Sequence, residues 1–409
     1  MLPEGWQKKP LASIATVERG KFSARPRNDP RYYGGNFPFV QTGDVANAGM
    51  YLTDFSQTLN SDGLEVSKVF PAGTILMTIA ANIGHTAVTV FPVAAPDSVV
   101  GISVFPDKAD TSWLKYALEA QQTNLDSLAA QNAQKNINLQ VLAPLQILVP
   151  GLTEQQRIGN LLRTWDRSIE ITQRLLLKCS DQRQALTKAL LLGTRRLRSC
   201  RTTWNYVDFD SVFERVTRKN TTGNCNVLTI SGQHGLIGQR DFFNKSIASE
   251  DLTGYTLLER GEFAYNKSYS AGYPMGAIKP LHRYDAGVVS SLYICFRLKK
   301  DVGADRDFFR HYFQAGLLNE EIAGIAQEGA RNHGLLNVGL TDFFKLRLHV
   351  PPAEERQRIA EVINIAESEE RSIAAQLARL KTEKRALMSQ LLTGKRRVCL
   401  AEVAVETPA

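Results

Sequence analysis

The chain contains the stretch VPGLTEQQRI at residues 149–158 and repeats it as VPPAEERQRI at residues 350–359. A second pair of segments follows at the same offset, with LLLGTRR at residues 190–196 and LLTGKRR at residues 391–397. Both repeats are 201 residues apart (from 149 to 350 and from 190 to 391), so the segments between them have kept equal lengths. Equal length without insertion indicates a rigid rod and not a loop.

The segments between the motifs carry the heptad pattern of long helices. From Ile158 and from Ile359, alternate steps of four and three residues reach mostly apolar side chains. Two apolar positions in every seven residues are the repeat of a coiled-coil seam. Prolines precede both segments, and Gly193 and Gly394 follow them, as expected at helix ends. Forty residues at about 1.5 Å each give a rod about 60 Å long. The predicted seam consists of Ile158, Leu162, Trp165, Ile169, Leu176, Leu186, Leu190, Ile359, Ile363, Ile373, Leu377, Leu380, Leu387 and Leu391.

Two equivalent amphipathic helices in one chain predict that each covers the apolar stripe of the other. Because each helix must connect to a globular segment, an antiparallel coiled coil around a pseudo-twofold axis is the preferred arrangement. The polar seam positions Arg183 and Lys384 are equivalent in the repeat. Antiparallel pairing predicts Arg183 near Glu367 and Lys384 near Asp166.

The repeat divides the 409 residues into globular and helical parts of an α+β protein. Each globular part is long enough to bury its own core. The predicted globular domains are residues 1–149 and 198–349, the predicted helices are residues 150–197 and 350–398, and residues 399–409 form a C-terminal tail.

Apolar runs and caps predict the same order of elements in both globular parts. Strands are expected at residues 37–42, 73–80, 86–91 and 99–105, followed by one helix from about residue 110 to 128. In the second part, strands are expected at residues 226–231, 261–267, 275–279 and 288–298, followed by a helix at about 305–318.

The composition favours a reduced protein with a polyanionic partner. The formal net charge is +8 and the isoelectric point about 9.2. The five cysteines show no CxxC spacing, and no run of the sequence approaches a membrane span. A cytoplasmic location is therefore expected.

Basic loops early in both globular parts are candidates for contact with DNA phosphates. Arginines among glycines and tyrosines suit phosphate contact combined with base stacking, although a solvated charged loop explains them as well. The candidates are Lys21, Arg25, Arg27, Arg31, Arg215, Arg218 and Lys219. Arg195-Arg196 and Arg396-Arg397 are open to two explanations, spacer phosphates or the favourable placement of cations at a helix C-terminus.

Polar side chains at strand ends and in polar loops are candidates for reading base edges. Asn and Gln amides can pair bidentately with adenine, although such residues most often form turns and caps. The candidates are Gln41, Thr42, Lys135, Asn136, Ser231, Gln233, Lys267, Tyr269, Arg331 and Asn332.

The sequence lacks the common catalytic motifs. It has no GxxxxGK[ST] phosphate loop, no Asp/Glu-x-Lys triple of metal-dependent nucleases, and no zinc-type spacing of its six histidines. We therefore expect no catalytic residue and no metal site in this chain.

Two globular parts, each followed by a long helix that begins Pro-x-x-Glu-Gln-x-Arg-Ile and ends Leu-Leu-x-Gly-x-Arg, resemble the specificity (S) subunit of Type I restriction-modification enzymes. The resemblance covers essentially the whole chain. Its motif stands here as EQQRI at residues 154–158 and as ERQRI at residues 355–359, where Arg356 replaces the first Gln. Gly151 replaces the second proline of the first copy.

The resemblance implies a phage-defence protein without catalytic activity of its own. It implies two target recognition domains, each reading one half of a bipartite asymmetric site on double-stranded DNA. It also implies that the helices set the gap and dock two methyltransferase (M) subunits, which restriction (R) subunits join. S-adenosylmethionine, ATP and Mg²⁺ would then belong to the partners. The alternative is a coiled-coil scaffold that pairs partner subunits without reading DNA.

Overall fold

The computed structural model describes residues 2–130, 136–198, 200, 202–232, 234–242, 251–268, 272–299, 303–326 and 336–398. The chain forms two compact units. The first unit comprises Met1–Leu175 and Ile373–Ala409, and the second comprises Leu176–Ser372. Each unit therefore combines one globular part with half of each long helix.

The first unit contains most of its strands before its longer helices, which begin with α3. Its elements in order, including the whole of the first long helix, are β1 Gln7–Pro10, β2 Ala15–Arg19, β3 Tyr33–Phe39, α1 Thr42–Asn47, β4 Tyr51–Leu52, β5 Gln57–Leu59, α2 Ser61–Glu65, β6 Lys68–Phe70, β7 Ile75–Thr78, β8 Thr86–Thr89, β9 Val93–Ala95, β10 Val99–Val104, α3 Thr111–Glu119, α4 Gln122–Ala130, α5 Leu139–Leu142, β11 Gln146–Val149 and α6 Leu152–Leu191.

Two sheets and a strand pair build the globular part of the first unit. The sheet orders are β2-β10-β7-β8-β4 and β5-β3-β9-β6, and β1 pairs with β11. The central strands β7, β8 and β10 are buried on both faces. Trp113 and Tyr116 of α3 help to cover one face, and Phe70 and Val93 of the other sheet pack in the core on the opposite face. The first turns of α6 join this same core through Ile158 and Leu162, so the long helix is part of the unit and not an appendage.

The second unit follows the same plan. Its elements, including the whole of the second long helix, are β12 Asn205–Asp208, α7 Phe209–Val212, β13 Phe213–Arg215, β14 Leu228–Ser231, β15 Gly235–Gly238, α8 Gln239–Phe242, β16 Thr256–Glu259, β17 Phe263–Asn266, β18 Ala277–Pro280, β19 Ala286–Val289, β20 Ile294–Leu298, α9 Gly303–Gln314, α10 Asn319–Ile325, α11 Leu340–Phe344, β21 Arg347–Val350 and α12 Ala353–Leu391.

The strand pairing of the second unit supports the repeat. Here β12 pairs with β21 as β1 pairs with β11, and the main sheet has the order β13-β20-β17-β18. Its core is rich in aromatic rings, with Phe209, Phe213, Phe263 and Phe296 packed edge to face or stacked.

Several element predictions are corrected by the structure. The strand predicted at residues 37–42 ends at Phe39, and α1 begins at Thr42. The single helix predicted over residues 110–128 is two helices, α3 and α4. The single strand predicted over residues 288–298 is divided between β19 and β20, because a turn closes between them through the Tyr293 N–H and the Ser290 carbonyl at 3.1 Å.

The helix halves are antiparallel within each unit, as predicted. In the first unit, the Lys384 ammonium lies 2.6 Å from the Asp166 carboxylate. In the second unit, Arg183 pairs with Glu370 and not with Glu367, because Glu367 is bonded to Arg310 at 3.0 Å. All ten seam positions of each helix, from residue 158 to 190 and from 359 to 391, are buried or half-buried.

The repeated motif forms an equivalent contact in each unit, which we call the clasp. In the second unit, the guanidinium of Arg196 donates two bonds of 2.8 Å to the Glu355 carboxylate, and the Trp204 indole N–H donates a third of 3.2 Å. In the first unit, Arg397 and Trp6 bond Glu154 in the same way, at 2.6, 2.8 and 3.2 Å. The second arginine of each pair therefore has a partner within the protein, which accounts for the positions of Arg196 and Arg397 without a phosphate contact.

A glycine follows the last turn of each long helix, next to the clasp. Gly193 and Gly394 both have φ of 69°, a left-handed conformation that favours glycine at this position. A Cβ on Gly394 would lie 2.3 Å from Pro3, and one on Gly193 would lie 3.4 Å from Trp204. Both glycines therefore permit the turn, and Gly394 also permits the close approach of Pro3.

The motif's departure at Arg356 has a structural explanation. In the first unit, the buried Gln155 amide accepts the N–H of Asp110 at 2.9 Å, which ties α6 to the start of α3. In the second unit, Arg356 bonds the Asp305 carboxylate at 2.7 and 3.0 Å and ties α12 to α9. An arginine paired with an aspartate thus replaces a glutamine bonded to a backbone amide.

A buried histidine joins α9 to α12 in the second unit. The His311 ring is 3% exposed, lies 2.9 Å from the Asn364 oxygen, and is faced by Arg310, Glu367 and Asp307. Burial, and then the charge of Arg310, lower the pKa of His311 below its ordinary 6.5. Burial alone would raise the pKa of Glu367, but the Arg310 hydrogen bond and charge lower it below 4.5, so this carboxylate stays ionised at neutral pH.

We expect the second unit to lose stability as the pH falls below about 6.5. A histidine with a lowered pKa is neutral in the folded protein, so the unfolded chain binds more protons in this range. Urea denaturation at pH 7.5 and 5.5 should show the loss, and His311→Gln should reduce the difference between the two pH values. An unchanged pH dependence in the variant would assign it to other groups.

Candidate nucleic-acid interface

The first basic loop lies between β2 and β3, and its predicted phosphate contacts are exposed. Arg27 pairs with Asp97 at 2.7 Å, with both side chains about half exposed. The Arg31 guanidinium lies 4.5 Å from the centre of the Tyr32 ring. Because exposed ion pairs contribute little and exchange readily, these cations remain accessible to phosphate oxygens.

Arg25 is the most firmly positioned cation of this loop. Its guanidinium donates to the carbonyls of Ala24 at 2.7 Å and of Phe22 at 3.3 Å, while the residue stays exposed. Carbonyl partners orient the side chain and leave its charge unneutralised, and Lys21 in the same loop is also exposed. The loop therefore presents fixed positive charge.

The second basic set is less uniform. Arg218 bonds the buried Glu262 at 3.1 Å and Glu259 at 3.3 Å, which gives it a role inside the domain. Lys219 and Arg215 are exposed, and the Lys219 ammonium donates to the Gly254 carbonyl at 2.8 Å. Phosphate contact in the second unit is thus favoured by geometry for Arg215 and Lys219.

The candidate base readers of the first unit lie around the β7–β8 hairpin. Gln41 and Thr42 are half-buried at the start of α1, which packs against β7 and β8, and the Gln41 amide donates to Gln57 at 3.0 Å. Asn136 pairs through its backbone with Ala80, just beyond β7. Segments distant in sequence therefore converge on one hairpin.

The second unit repeats this convergence. The Lys267 carbonyl, just beyond β17, accepts the Leu336 N–H at 3.0 Å, as the Ile79 carbonyl beyond β7 accepts the Ile137 N–H at 2.9 Å. Ser231 is 7% exposed, and its hydroxyl accepts the His234 N–H at 3.3 Å. The predicted readers Lys135, Gln233, Tyr269, Arg331 and Asn332 lie outside the described residues.

The sequence reasoning missed the turn of the β7–β8 hairpin. This turn and α4 line a cavity of about 320 Å³ with the side chains of Asn82, His85, Gln122 and Asp126. The only signal was a polar Asn and His within a short connection between two apolar strands, which reads as an ordinary turn.

A family model described as the Type I restriction modification DNA specificity domain matches residues 3–178. This part of the chain is similar to that specificity family. The match ends within α6, and the 201-residue repeat extends the same plan to the rest of the chain.

One curated member of the specificity family is the Type I restriction enzyme MjaIX specificity subunit of Methanocaldococcus jannaschii. It is 25% identical over 174 residues, which are 41% of this chain. The match spans 40% of the length of that relative.

Solved structures of the family have the same fold over nearly the whole chain. The S subunit from M. genitalium has a TM-score of 0.56 at 14% identity, with 97% of both chains covered. The HsdS subunit from Thermoanaerobacter tengcongensis has a TM-score of 0.54 at 16% identity, with 97% of this chain and 98% of that chain covered. A chain from a structure of the type I R-M system has a TM-score of 0.58 at 15% identity, with 97% of this chain and all of that chain covered.

The described residues contain neither a candidate metal site nor a candidate membrane span. Within it, no three His, Cys, Asp or Glu side chains are grouped so that they could hold a metal ion. None of its helices combines the length and apolar character needed to cross a bilayer.

Proposed function

We propose that this chain is the DNA-specificity subunit of a Type I restriction-modification enzyme. The observation that carries the proposal is the doubled plan, in which each unit joins a globular part to an antiparallel pair of helix halves through the same clasp. The motifs at the two ends of the first helix both recur 201 residues later in the second helix, whereas the globular parts diverge in sequence. Such a chain suits one shared task of the helices and two different half-sites of a bipartite asymmetric DNA sequence.

The partners in this proposal are double-stranded DNA, two M subunits and, in the full enzyme, R subunits. Exposed apolar side chains on the long helices support docking of protein subunits there. Ile171 and Leu175 lie one turn apart on α6 and are 56% and 50% exposed, and Ile365 on α12 is 68% exposed. In this proposal the chain is not an enzyme, and S-adenosylmethionine, ATP and Mg²⁺ are bound by the partners.

The decisive experiment is selection from a random duplex library with the full chain co-purified with its M subunits. Two short constant blocks at a fixed spacing are expected in the bound pool. Exchanging the globular part of one unit should change one block only. An unenriched pool from a well-formed complex, with binding that does not respond to salt, would instead favour the scaffold alternative.

We expect Arg25→Ala to weaken binding to all DNA sequences by a similar factor. Removing one phosphate contact should reduce the slope of log affinity against log salt by about 1, with the selected sequence unchanged. The control is Arg174→Ala, which removes an equally charged, exposed residue from α6. Equal slopes for the two variants would exclude a phosphate contact at Arg25.

A further inference from the structure

We propose that Asn82, on the turn of the β7–β8 hairpin, reads an adenine in the half-site bound by the first unit. This inference rests on the proposed function and adds a base-binding residue to it. The argument has three steps, which concern the exposure of the amide, the rigidity of the turn and the chemistry of the surface around it.

The Asn82 side chain is free to meet a ligand. The residue is exposed, and none of the described residues hydrogen-bonds to its amide, although its backbone carbonyl is engaged. A primary amide presents one donor and one acceptor side by side, and these match the N6 amino group and N7 atom of adenine in the major groove.

Hydrogen bonds from Thr78 and Gln122 hold the backbone of the turn that carries Asn82. The Thr78 side chain, which is fully buried, donates to the Asn82 carbonyl and accepts the His85 N–H at 3.1 Å. The Gly84 N–H donates to the Thr78 carbonyl at 2.9 Å, and Gln122 of α4 donates to the Ile83 carbonyl at 3.4 Å. The backbone of the turn from Asn82 to His85 is therefore fixed by hydrogen bonds.

One residue of the turn has an unfavourable backbone conformation. Ala81 has φ of 59°, and it is the only residue other than glycine with positive φ in the part of the chain that the structure describes. Such a conformation persists where surrounding contacts impose it, and here it adjoins the exposed Asn82. A side chain on a fixed turn loses little freedom when it binds a base, which favours discrimination.

The surface around Asn82 suits a base edge better than a phosphate. Its cavity of about 320 Å³ is lined by amide, imidazole, hydroxyl and carboxylate groups from Asn82, His85, Gln122, Thr123 and Asp126. Among the described residues that line it there is no lysine or arginine. Donors and acceptors without cations read bases, whereas the cations of the loop after β2 suit the backbone.

The position of the turn agrees with this role. Asn136, which was predicted to read bases, pairs with Ala80 two residues before Asn82. In the second unit, Lys267 occupies the place of Ile79, the first residue beyond the first strand of the hairpin. Two separate chain segments thus meet beside this turn in the first unit.

The test is library selection with the full chain and its M subunits, applied to the wild type, Asn82→Ala, Asn82→Asp and the control Asn124→Ala. Asn124 is an exposed amide on α4 outside the cavity. For Asn82→Ala, we expect roughly tenfold weaker discrimination at one adenine of one block, with the other block unchanged. For Asn82→Asp, the preference there should move towards cytosine, because a carboxylate only accepts hydrogen bonds.

The outcomes separate this inference from the proposed function. If the wild type selects two blocks and both Asn82 variants select the same blocks, Asn82 does not read a base and the proposed function stands. Uniform weakening of both blocks by Asn82→Ala would also overturn the inference, since it would indicate a sequence-independent contact. If the wild type selects no blocks, the proposed function fails and the inference fails with it.

Discussion

Replacing Arg196 with alanine is expected to lower the free energy of unfolding of the second unit by about 3 kcal/mol. The Glu355 side chain is 3% exposed and would lose two guanidinium bonds of 2.8 Å. Of its hydrogen bonds to described side chains, it would keep the one from the Trp204 indole N–H at 3.2 Å. A buried carboxylate without its cation is costly, whereas the intact pair itself adds little. Urea denaturation followed by hydrogen exchange in the first turn of α12 measures the effect.

The neighbouring Arg195 provides a matched control for this prediction. It is exposed and carries the same charge at the same helix end, so Arg195→Ala should change stability by much less. The first unit gives a second comparison, because Glu154 in its clasp is 14% exposed and Arg397→Ala should cost less than Arg196→Ala. Equal losses from Arg195→Ala and Arg196→Ala would show that the clasp does not stabilise the second unit.

Deleting seven residues from the middle of each long helix is expected to shorten the unread gap of the DNA site without changing either half-site. Removing residues 172–178 and 373–379 takes out one heptad from each helix, so the apolar seam continues in register. Seven residues correspond to about 10 Å of helix, which is no more than roughly 3 base pairs. Library selection with the double deletion measures the spacing directly.

The control for the length prediction is the deletion of one heptad from only one helix. Because the seam positions of the two helices would then no longer match, we expect loss of the complex and not a shorter gap. Changed bases in either block after the double deletion would contradict the idea that the helices act as a spacer.

The sequence was sufficient to predict the long helices. A two-per-seven stripe over forty residues leaves one arrangement that buries it, and every seam position is at least half-buried. The equivalence of Arg183 and Lys384 also located the Lys384–Asp166 pair. Arg183 lies near enough to Glu367 for its charge to lower the pKa of that carboxylate, as predicted, but it forms its ion pair with Glu370. Glu367 is instead bonded to Arg310, a residue of α9 that the helix pattern does not include.

The short strands and the candidate site were harder to predict. Strand β3 pairs with β5 and β9, and such pairing between distant segments leaves little trace in either strand alone. Asn82 was missed because its role depends on Thr78 and Gln122, which hold the turn from two other elements. Arg218 could not be distinguished from Arg215 by sequence, since the difference lies in the buried Glu262.

The two units differ in the order in which their segments are synthesised, because the second is continuous in sequence and the first consists of two segments. The second unit is one continuous stretch, Leu176–Ser372, and all of it has been synthesised before Ile373 is added. The first unit needs its last segment from the end of the chain, and its clasp joins residues 243 positions apart. Because contacts between distant positions form late, we expect the first unit to lack its half of α12 and its clasp while the second unit folds. During synthesis, the part of the protein made first is therefore the part completed last.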